Sequence, residues 1–412
     1  MDDPIPPYHT RLEELTAELA ARSSFGILLF DLSFIGEIEL EYGTTAYAEV
    51  RGRIRTLIRE QRGKDFRKDD VLCLDEPKGA ALLLFLDRKR RKDLPVLNAD
   101  LLAARQRLGK SFARSLGRAA FPYRKTPPRI PIGQGVALHN PLVTPKRVIQ
   151  SALDSARRIA QHERTSSLLE ARQRLEDLIA GQRIVTAYQP IMRIAERETI
   201  AVEALSRGAR GTGLEAADLL FSAATRHGML IELDRLCRSR ALLSSTHVPS
   251  KAMLFVNTLP ATIRDPQFRG KPLIDFLDKA HLAPDRIVIE ITEKLVIENY
   301  GLFLESMAYF SELRMRFAVD DVGSGYSGLE AISRLKPAFL KIDMSLVRHV
   351  HESAVNREMV KAIIALGHGI GAEVIAEGIE TQEEADALVQ LGTDYGQGYL
   401  LARPQVATEA AS

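Results

Sequence analysis

The segment RFAVDDVGSGYSGLEAISRLKPAFLKID, residues 316–343, contains the unit from which the fold of this chain is predicted. It begins with the short apolar run RFAVDD, continues through a helix-like stretch, and returns to a second apolar run, FLKID. Two such runs separated by a helical pattern predict two parallel strands joined by a crossover helix. Both runs end in charged residues, so polar chemistry is expected where these strands end.

The same alternation of apolar runs and helical stretches continues on both sides of this segment. It begins at Val185 and extends towards the C-terminus. Six more apolar runs share it: VTAYQPI, ETIAVEAL, AMLFVN, RIVIEIT, EVIAEG and the weaker TDYGQGYL. Alternating strands and helices are typical of an α/β fold with a parallel sheet. Eight runs in about 220 residues match the count and size of a (β/α)8 TIM-like barrel.

The residues before Val185 follow a different pattern. FGILLFDLS and AALLLFLD predict buried strands, TTAYAEVRGRIRTLIREQ predicts an amphipathic helix, and residues 145–182 predict one long helix. A chain of 412 residues also exceeds the roughly 250–300 residues that one core organises. We therefore expect a smaller α/β domain with its helical connector at residues 1–165 and the barrel domain at 166–412.

Composition excludes several classes of protein. Hydrophobic residues make up 45% and charged residues 27%, which is ordinary globular usage. A net charge of +2 provides no global field for DNA, RNA or an acidic membrane. Cys73 and Cys237 are far apart and form no disulfide framework or zinc motif. No apolar run is long enough to cross a bilayer and no signal-peptide pattern is present, so a cytoplasmic location is expected.

Polar residues follow the apolar runs at the point where each run ends: Gln189, Glu203, Asn257, Glu290, Asp320 with Asp321, Lys341, Glu377 and Gln397. The carboxyl ends of parallel barrel strands share one face, so these side chains are expected to meet. A single charged residue at a strand end could equally well belong to a surface ion pair. Several carboxylates buried together, however, require a cation to balance their charge. Oxygen ligands without Cys or His favour Mg²⁺ or Mn²⁺, and adjacent aspartates suit two ions in phosphoester hydrolysis.

These residues resemble the EAL family of cyclic-di-GMP phosphodiesterases from about Leu175 to Pro404. The motifs, in family order, are YQPI at 188–191, EALSR at 203–207, VN at 256–257, EITE at 290–293, DDVGSGYSGL at 320–329, KID at 341–343, AEGIET at 376–381 and QGYLLARP at 397–404. The resemblance implies hydrolysis of cyclic-di-GMP to the linear dinucleotide pGpG. It also implies a homodimer formed through the barrel.

The resemblance further implies a role for each motif residue. Metal ligation is implied for Glu203, Asn257, Glu290, Asp320 and Asp321, and catalysis for Glu203, Lys341 and Glu377. Substrate contacts are implied for Gln189, Arg207 and Gln397, and Glu293 is implied to anchor the DDVGSGYSG loop. Val322, Gly328 and Gly208 depart from common family residues, which affects the packing of that loop and the wall of the groove.

The N-terminal half is similar to GGDEF cyclase domains at FDLSFIGEIELEYG, with Asp31 in place of a metal aspartate. Glu39 and Leu40 replace the guanine-reading pair, and EPKGA at 76–80 occupies the signature turn, so this domain is expected to be degenerate and regulatory. Arg67 and Asp70 are interpreted as a solvated surface pair. Two alternatives to an enzyme remain: a non-catalytic cyclic-di-GMP receptor, or a scaffold whose N-terminal domain binds a protein partner.

Overall fold

The structure is a computed structural model of the whole chain. It describes residues 5–22, 24–64, 70–75, 81–86, 98–123, 129–245, 248–259, 262, 264–293, 300–323 and 329–406. The altered turn at 76–80, Arg67 and most of the DDVGSGYSGL loop lie outside these residues. The chain divides into two compact units, Met1–Glu170 and Ala171–Ser412. None of the described helices is long and apolar enough to span a membrane.

The first unit is built on a four-stranded antiparallel sheet. Its strands are β1 (Ser24–Asp31), β2 (Val71–Leu74), β3 (Ala81–Leu86) and β4 (Ile132–Leu138), in the order β2-β3-β1-β4. Its helices are α1 (Leu12–Arg22), α2 (Phe34–Gln61), α3 (Asn98–Ala120) and the first part of α4 (Pro145–Ala180). The long connector helix predicted at 145–182 is thus continuous.

Both faces of this sheet are covered, which explains the uninterrupted apolar run of β1. Alternate side chains of a strand point to opposite faces. Phe25, Ile27 and Leu29 pack with residues of α1 and α4, whereas Leu28 and Phe30 pack with residues of α2 and α3. Asp70 lies at the edge of the sheet and is buried. The prediction that Arg67 and Asp70 form a solvated surface pair is therefore wrong for Asp70.

Close packing of α4 on β4 requires glycine at two strand positions. A Cβ atom on Gly133 would lie 1.7 Å from the carbonyl oxygen of Ala156, and one on Gly135 would lie 2.2 Å from that of Ala152. Backbone atoms cannot move aside as a flexible side chain can, so a larger residue would push the helix away from the sheet. These glycines set the distance between helix and sheet.

The second unit is a closed barrel. Its strands are β5 (Ile184–Arg193), β6 (Glu198–Gly208), β7 (Met253–Asn257), β8 (Ile287–Thr292), β9 (Arg316–Val322), β10 (Phe339–Ile342), β11 (Glu373–Ala376) and β12 (Tyr395–Gly396), with β13 (Gln405–Val406) added outside β5. The described helices are α5 (Ala217–His227), α6 (Leu230–Leu243), α7 (Gly270–Ala280), α8 (Tyr300–Glu312), α9 (Leu329–Leu335), α10 (Met344–Val347), α11 (Ala354–Ile370) and α12 (Gln382–Leu391).

The eight predicted apolar runs correspond to β5–β12, and pairing between β12 and β5 closes the barrel. One feature differs from the sequence prediction. Strands β6–β12 are parallel, but β5 runs antiparallel to both of its barrel neighbours. A turn of four residues, Ile194–Arg197, joins β5 directly to β6, and only a hairpin can be closed by so short a connection. The expectation of eight parallel strands is therefore wrong for β5.

Candidate functional site

The site lies one layer of side chains above the apolar core that fills the inside of the barrel. One buried residue from each strand β5–β12 forms this filling: Ile191, Ala201, Phe255, Val288, Ala318, Phe339, Ile375 and Tyr395. Side chains along a strand alternate, so the next inward position lies two residues further on. In the parallel strands or directly after them, that position holds Glu203, Asn257, Glu290, Asp320, Lys341, Glu377 and Gln397. In antiparallel β5 the same layer is reached two residues earlier, at Gln189.

Backbone pairing holds the ends of these strands in place. Glu377 donates its N–H to the carbonyl of Ile342, and Gln397 donates its N–H to the carbonyl of Ala376. Both bonds continue the parallel pairing beyond the regular strands. Across the first hairpin, Gln189 is paired in register with Glu203. The polar layer is therefore positioned by the sheet itself.

Lys341 is at the centre of this layer and is completely buried. Its Nζ lies 3.3 Å from Oε2 of Glu203, 3.3 Å from Oδ1 of Asp320 and 2.5 Å from Oε1 of Glu377. It also forms an ion pair with Glu290, which is itself fully buried. Four carboxylates from four different strands thus share one ammonium group.

Three amide side chains complete the layer. Asn257 donates from Nδ2 to Oε1 of Glu203 at 3.1 Å, and its Nδ2 lies 3.5 Å from Oε2 of Glu290. Gln397 donates from Nε2 to Oε2 of Glu203 at 2.7 Å and to Oε1 of Gln189 at 3.1 Å. Glu203 therefore accepts from two amides and faces the ammonium, which places it at the junction of the layer.

A local irregularity of β9 brings Asp321 to the same side as Asp320. Adjacent residues of a regular strand point to opposite faces. The β9–β10 register shifts by one residue at this point, and Asp321 has a φ of 58°, a left-handed conformation that non-glycine residues rarely adopt. Carboxylate oxygens of Asp320, Asp321 and Glu377 consequently lie within 4.8 Å of one another.

The electrostatics of the layer are dominated by excess negative charge. Burial raises the pKa of Glu290 well above its ordinary value, and repulsion by Glu203 adds to this. Burial, with repulsion by Asp320, does the same to Glu377 and raises the pKa of Asp321 to about 6. Burial alone would lower the pKa of Lys341, but the surrounding carboxylates outweigh it and raise that pKa.

This donor set fits divalent cations. Oxygen atoms of Glu203, Glu290 and Glu377 form one close group, and those of Asp320, Asp321 and Glu377 form a second. When all five carboxylates are ionised, they and the one ammonium have a net charge of −4, which two divalent cations would balance. Oε1 of Gln397 is buried without a hydrogen-bond partner, and Oδ1 of Asp320 has the ion-pair contact with Lys341 but no hydrogen bond. Such atoms are expected to face a ligand, and hard oxygen donors favour Mg²⁺ or Mn²⁺ over zinc.

The remaining predicted residues lie around this layer. Arg207 is half-buried on β6 and borders a cavity of about 290 Å³, whose wall also includes Phe221, Asn257 and Glu290. Glu293 is buried and accepts a hydrogen bond from the N–H of Gly323, at the start of the DDVGSGYSGL loop.

Close packing explains why residue 208 is a glycine. A Cβ atom there would lie 2.3 Å from the carbonyl oxygen of Leu214. The segment after β6 therefore passes directly over this position. A larger side chain would require that segment to move.

The barrel and its acidic layer define the class of the protein. Residues 172–404, more than half of the chain, match the EAL domain family, so the chain belongs to that family. The match begins near the start of the second unit and ends beside β13. The sequence resemblance to this family is confirmed.

The particular relatives are phosphodiesterases and signalling proteins. The bifunctional diguanylate cyclase/cyclic di-GMP phosphodiesterase MucR of Pseudomonas aeruginosa is 26% identical, over 93% of this chain and 56% of that protein. The cyclic di-GMP phosphodiesterase NbdA of the same species is 30% identical, over 58% of this chain and 31% of that protein. This chain spans about half, or less, of the length of these curated relatives. The MucR alignment also reaches into the N-terminal unit.

Solved structures show the same fold. The MucR phosphodiesterase in complex with c-di-GMP superposes with a TM-score of 0.51 at 26% identity, covering 58% of this chain and 97% of that one. The EAL enzyme Bd1971, bound to cAMP and cyclic-di-GMP, gives 0.53 at 24% identity over 65% of this chain and 74% of that one. At that identity the second comparison supports the fold alone.

Sequence reasoning missed a set of buried charges behind the site. Helix α6 turns Leu233, Asp234, Cys237 and Arg238 towards the core. Asp234 and Arg238 stand four residues apart on this otherwise apolar face. That spacing is the signal that could have identified them, because residues four apart on a helix are neighbours.

Proposed function

We propose that the second unit is a metal-dependent phosphodiesterase that hydrolyses cyclic-di-GMP to linear pGpG. The observation that carries the proposal is the polar layer of the barrel, where five carboxylates and one lysine form a site suited to two divalent cations. Membership of the EAL family and the relatives named as cyclic di-GMP phosphodiesterases support it.

The chain's own residues would divide the work as follows. Glu203, Asn257, Glu290 and Asp320 would hold one cation, and Asp321 would help to hold the second. Bound cations in such sites polarise a phosphoryl oxygen and lower the pKa of a coordinated water. Their identity, Mg²⁺ or Mn²⁺, follows from the oxygen donors rather than from any observed ion.

Lys341 and Glu377 would act on the reacting groups. The ammonium of Lys341 is fixed on rigid strands, so it can stabilise negative charge that develops on the phosphate without first reorganising. Glu377 is more open than Lys341, with a side chain 19% exposed, so it can contact and orient the attacking water. Glu290 is fully buried, so it would serve as a ligand only.

Substrate contacts would come from the rim of the layer. Arg207 presents a planar guanidinium suited to a phosphodiester oxygen, and it lies beside the cavity next to Asn257. Gln397 and Gln189 would line the groove on the opposite side of Glu203. Cyclic-di-GMP is the substrate class that these donors and the family membership favour.

Turnover of cyclic-di-GMP tests the proposal. Purified protein is incubated with the nucleotide and Mn²⁺ or Mg²⁺, and products are separated by chromatography. We expect pGpG, and no product with EDTA or with the Glu203→Gln variant. Binding without product would identify a non-catalytic receptor instead, and absence of both binding and product would favour a scaffold.

We further propose that the first unit is a degenerate, cyclase-like regulator without cyclase activity. The expected glycine-rich turn is replaced by Glu76–Ala80, and Asp31 uses its carboxylate to accept the N–H of Ser33 at the start of α2. GTP should therefore give no cyclic-di-GMP with any divalent cation. Cyclase activity would overturn this part of the proposal.

Regulation and assembly are tested with a fragment that begins at Ser167. We expect it to hydrolyse cyclic-di-GMP with a changed rate or dimer affinity, measured by kinetics and analytical ultracentrifugation. Dimerisation through the barrel requires the fragment to retain self-association. Identical kinetics and assembly in fragment and full chain would leave the first unit as a module for binding a protein partner.

A further inference from the structure

A network of buried charges lies outside the polar layer, and two of its members, Asp234 and Arg238, form part of the wall of the cavity beside Arg207. Asp234 and Arg238 of α6 form an ion pair of 2.8 Å between Oδ2 and Nε, and their side chains are only 5% and 4% exposed. Arg238 also reaches Asp265, with Nη2 lying 3.4 Å from Oδ2. Asp265 is further held by Arg235 through two hydrogen bonds of 2.8 and 3.0 Å.

The network is neutral in total but costly to bury. Two carboxylates face two guanidinium groups, of which only Arg235 is substantially exposed. Replacing such a group by apolar residues often leaves a protein equally stable, so stability alone does not explain its presence. Arg238 also lies over the ring of Phe268, with its Cζ 3.9 Å from the ring centroid. The guanidinium is thereby fixed in one position.

The network is attached to the segment that follows β7, to which Asp265 itself belongs. Asp234 accepts from the backbone N–H of Leu259 at 3.3 Å and from the hydroxyl of Thr262 at 2.5 Å. Asp265 accepts from the N–H of Gln267 at 3.0 Å. The segment is therefore held at Leu259, two residues after Asn257, and again at Thr262 and Asp265.

The position of Asn257 depends on these contacts with the following segment, because Asn257 is the last residue of β7. Its side chain is solvent-exposed and carries the layer's contacts to Glu203 and Glu290. On its C-terminal side, the next backbone anchor is the bond from Thr258 N–H to the carbonyl of Glu290. The next one is the contact of Leu259 with Asp234. Tilting of this segment would rotate the amide of Asn257 away from the carboxylates.

We propose that Asp234, Arg238 and Asp265 are positioning residues that hold Asn257 in the geometry for cation binding. The inference rests on the proposed metal site and adds a role for residues outside it. Groups that orient metal ligands usually change metal affinity when altered, by roughly 10–100-fold. The network is expected to act through affinity for the ion rather than through contact with substrate.

Mn²⁺ affinity of the full chain, measured by isothermal titration calorimetry without nucleotide, tests this proposal. Asp234→Asn keeps the shape of the side chain but removes the charge that pairs with Arg238. We expect its Kd for Mn²⁺ to rise by roughly 10–100-fold. We also expect hydrolysis to recover at high Mn²⁺, since the variant still carries every ligand.

The matched control is Leu388→Ala, which lowers stability from a fully buried position on α12 without contacting the network. It should bind Mn²⁺ as the parent does, and Arg238→Lys should recover part of the affinity lost in Arg238→Leu. Unchanged Mn²⁺ affinity in Asp234→Asn would overturn the proposal, as would an equal loss in the control. A parent that binds Mn²⁺ but releases no pGpG would refute the proposed reaction and leave the positioning result standing.

Discussion

Replacing Lys341 by methionine removes the one cation that the described polar layer contains while keeping an unbranched side chain that is one atom shorter. Three carboxylate oxygens lie 2.5–3.3 Å from Nζ, and Glu290 makes a fourth contact. At an effective dielectric constant of about 20, one pair at 3.3 Å is worth roughly 5 kcal/mol before desolvation. Much of that attraction is offset by the burial of the charges themselves.

The expected loss in the free energy of unfolding is therefore smaller than the sum of the individual ion-pair energies. Removing one partner of a buried ion pair costs about 3–5 kcal/mol, because the remaining charge stays buried. We expect Lys341→Met to lose this amount in EDTA, where no divalent cation can replace the ammonium. For a unit of this size, the corresponding drop in the unfolding temperature is roughly 6–20 °C.

Divalent cations should then stabilise the variant more than the parent. A ligand present at about 100 times its Kd adds roughly 2.7 kcal/mol to the free energy of unfolding. In Lys341→Met the carboxylates have lost their internal cation, so Mn²⁺ should bind more tightly and narrow the stability difference. Activity is expected to stay low even so, because the ammonium is proposed to act in the transition state.

Urea denaturation with EDTA and with Mn²⁺ measures both effects. Lys271→Met is the matched control, since it makes the same substitution at an exposed ion pair with Asp275. Such surface pairs contribute at most about 1 kcal/mol. If Lys341→Met lost no more stability than the control, or if Mn²⁺ stabilised parent and variant equally, the reasoning about the layer would be refuted.

Three further predictions concern separate parts of the chain. Glu203→Ala should abolish turnover and weaken Mn²⁺ binding, measured by calorimetry, while its circular dichroism stays native; near-normal hydrolysis would remove Glu203 from the site. Gly133→Ala should destabilise the first unit by about 1–3 kcal/mol through overpacking against α4, whereas Gly52→Ala, in open space on α2, should be neutral or stabilising in the same urea titration. Burial raises the pKa of both Cys73 and Cys237 to about 12, so neither thiol should react with a disulfide reagent at about pH 8 until the protein unfolds; rapid native labelling would contradict their burial.

Much of the barrel could be predicted from the sequence because its information is local. In the parallel strands β6–β12, each apolar run ends in a polar residue at the inward position that faces the mouth of the barrel. The two-residue spacing from Phe339 to Lys341 and from Val288 to Glu290 is a property of strand geometry and is readable directly. The family motifs then indicate the roles of these residues. The alternation of apolar runs alone would equally allow each of them to form a surface ion pair.

Other features depend on contacts between residues that are distant in the chain. The short hairpin between β5 and β6 sets the direction of β5, but only its pairing with β12 as well as β6 places Gln189 in the layer. The left-handed backbone of Asp321 and its register shift against β10 are what turn two adjacent carboxylates to one side. Neither feature leaves a periodic signal, because strand direction does not change the alternation of side chains and the geometry of Asp321 is a local departure from a regular strand.

What the sequence by itself determined was the number of barrel strands, their inward positions and the oxygen-rich chemistry at their ends. Only the tertiary structure decided that one ammonium is shared by four carboxylates, and that Asp234 and Arg238 hold the segment after Asn257. The physical reason is that periodicity depends on the geometry of one strand or helix. Charge balance in a buried layer depends on which side chains the closed sheet brings within a few ångströms of one another.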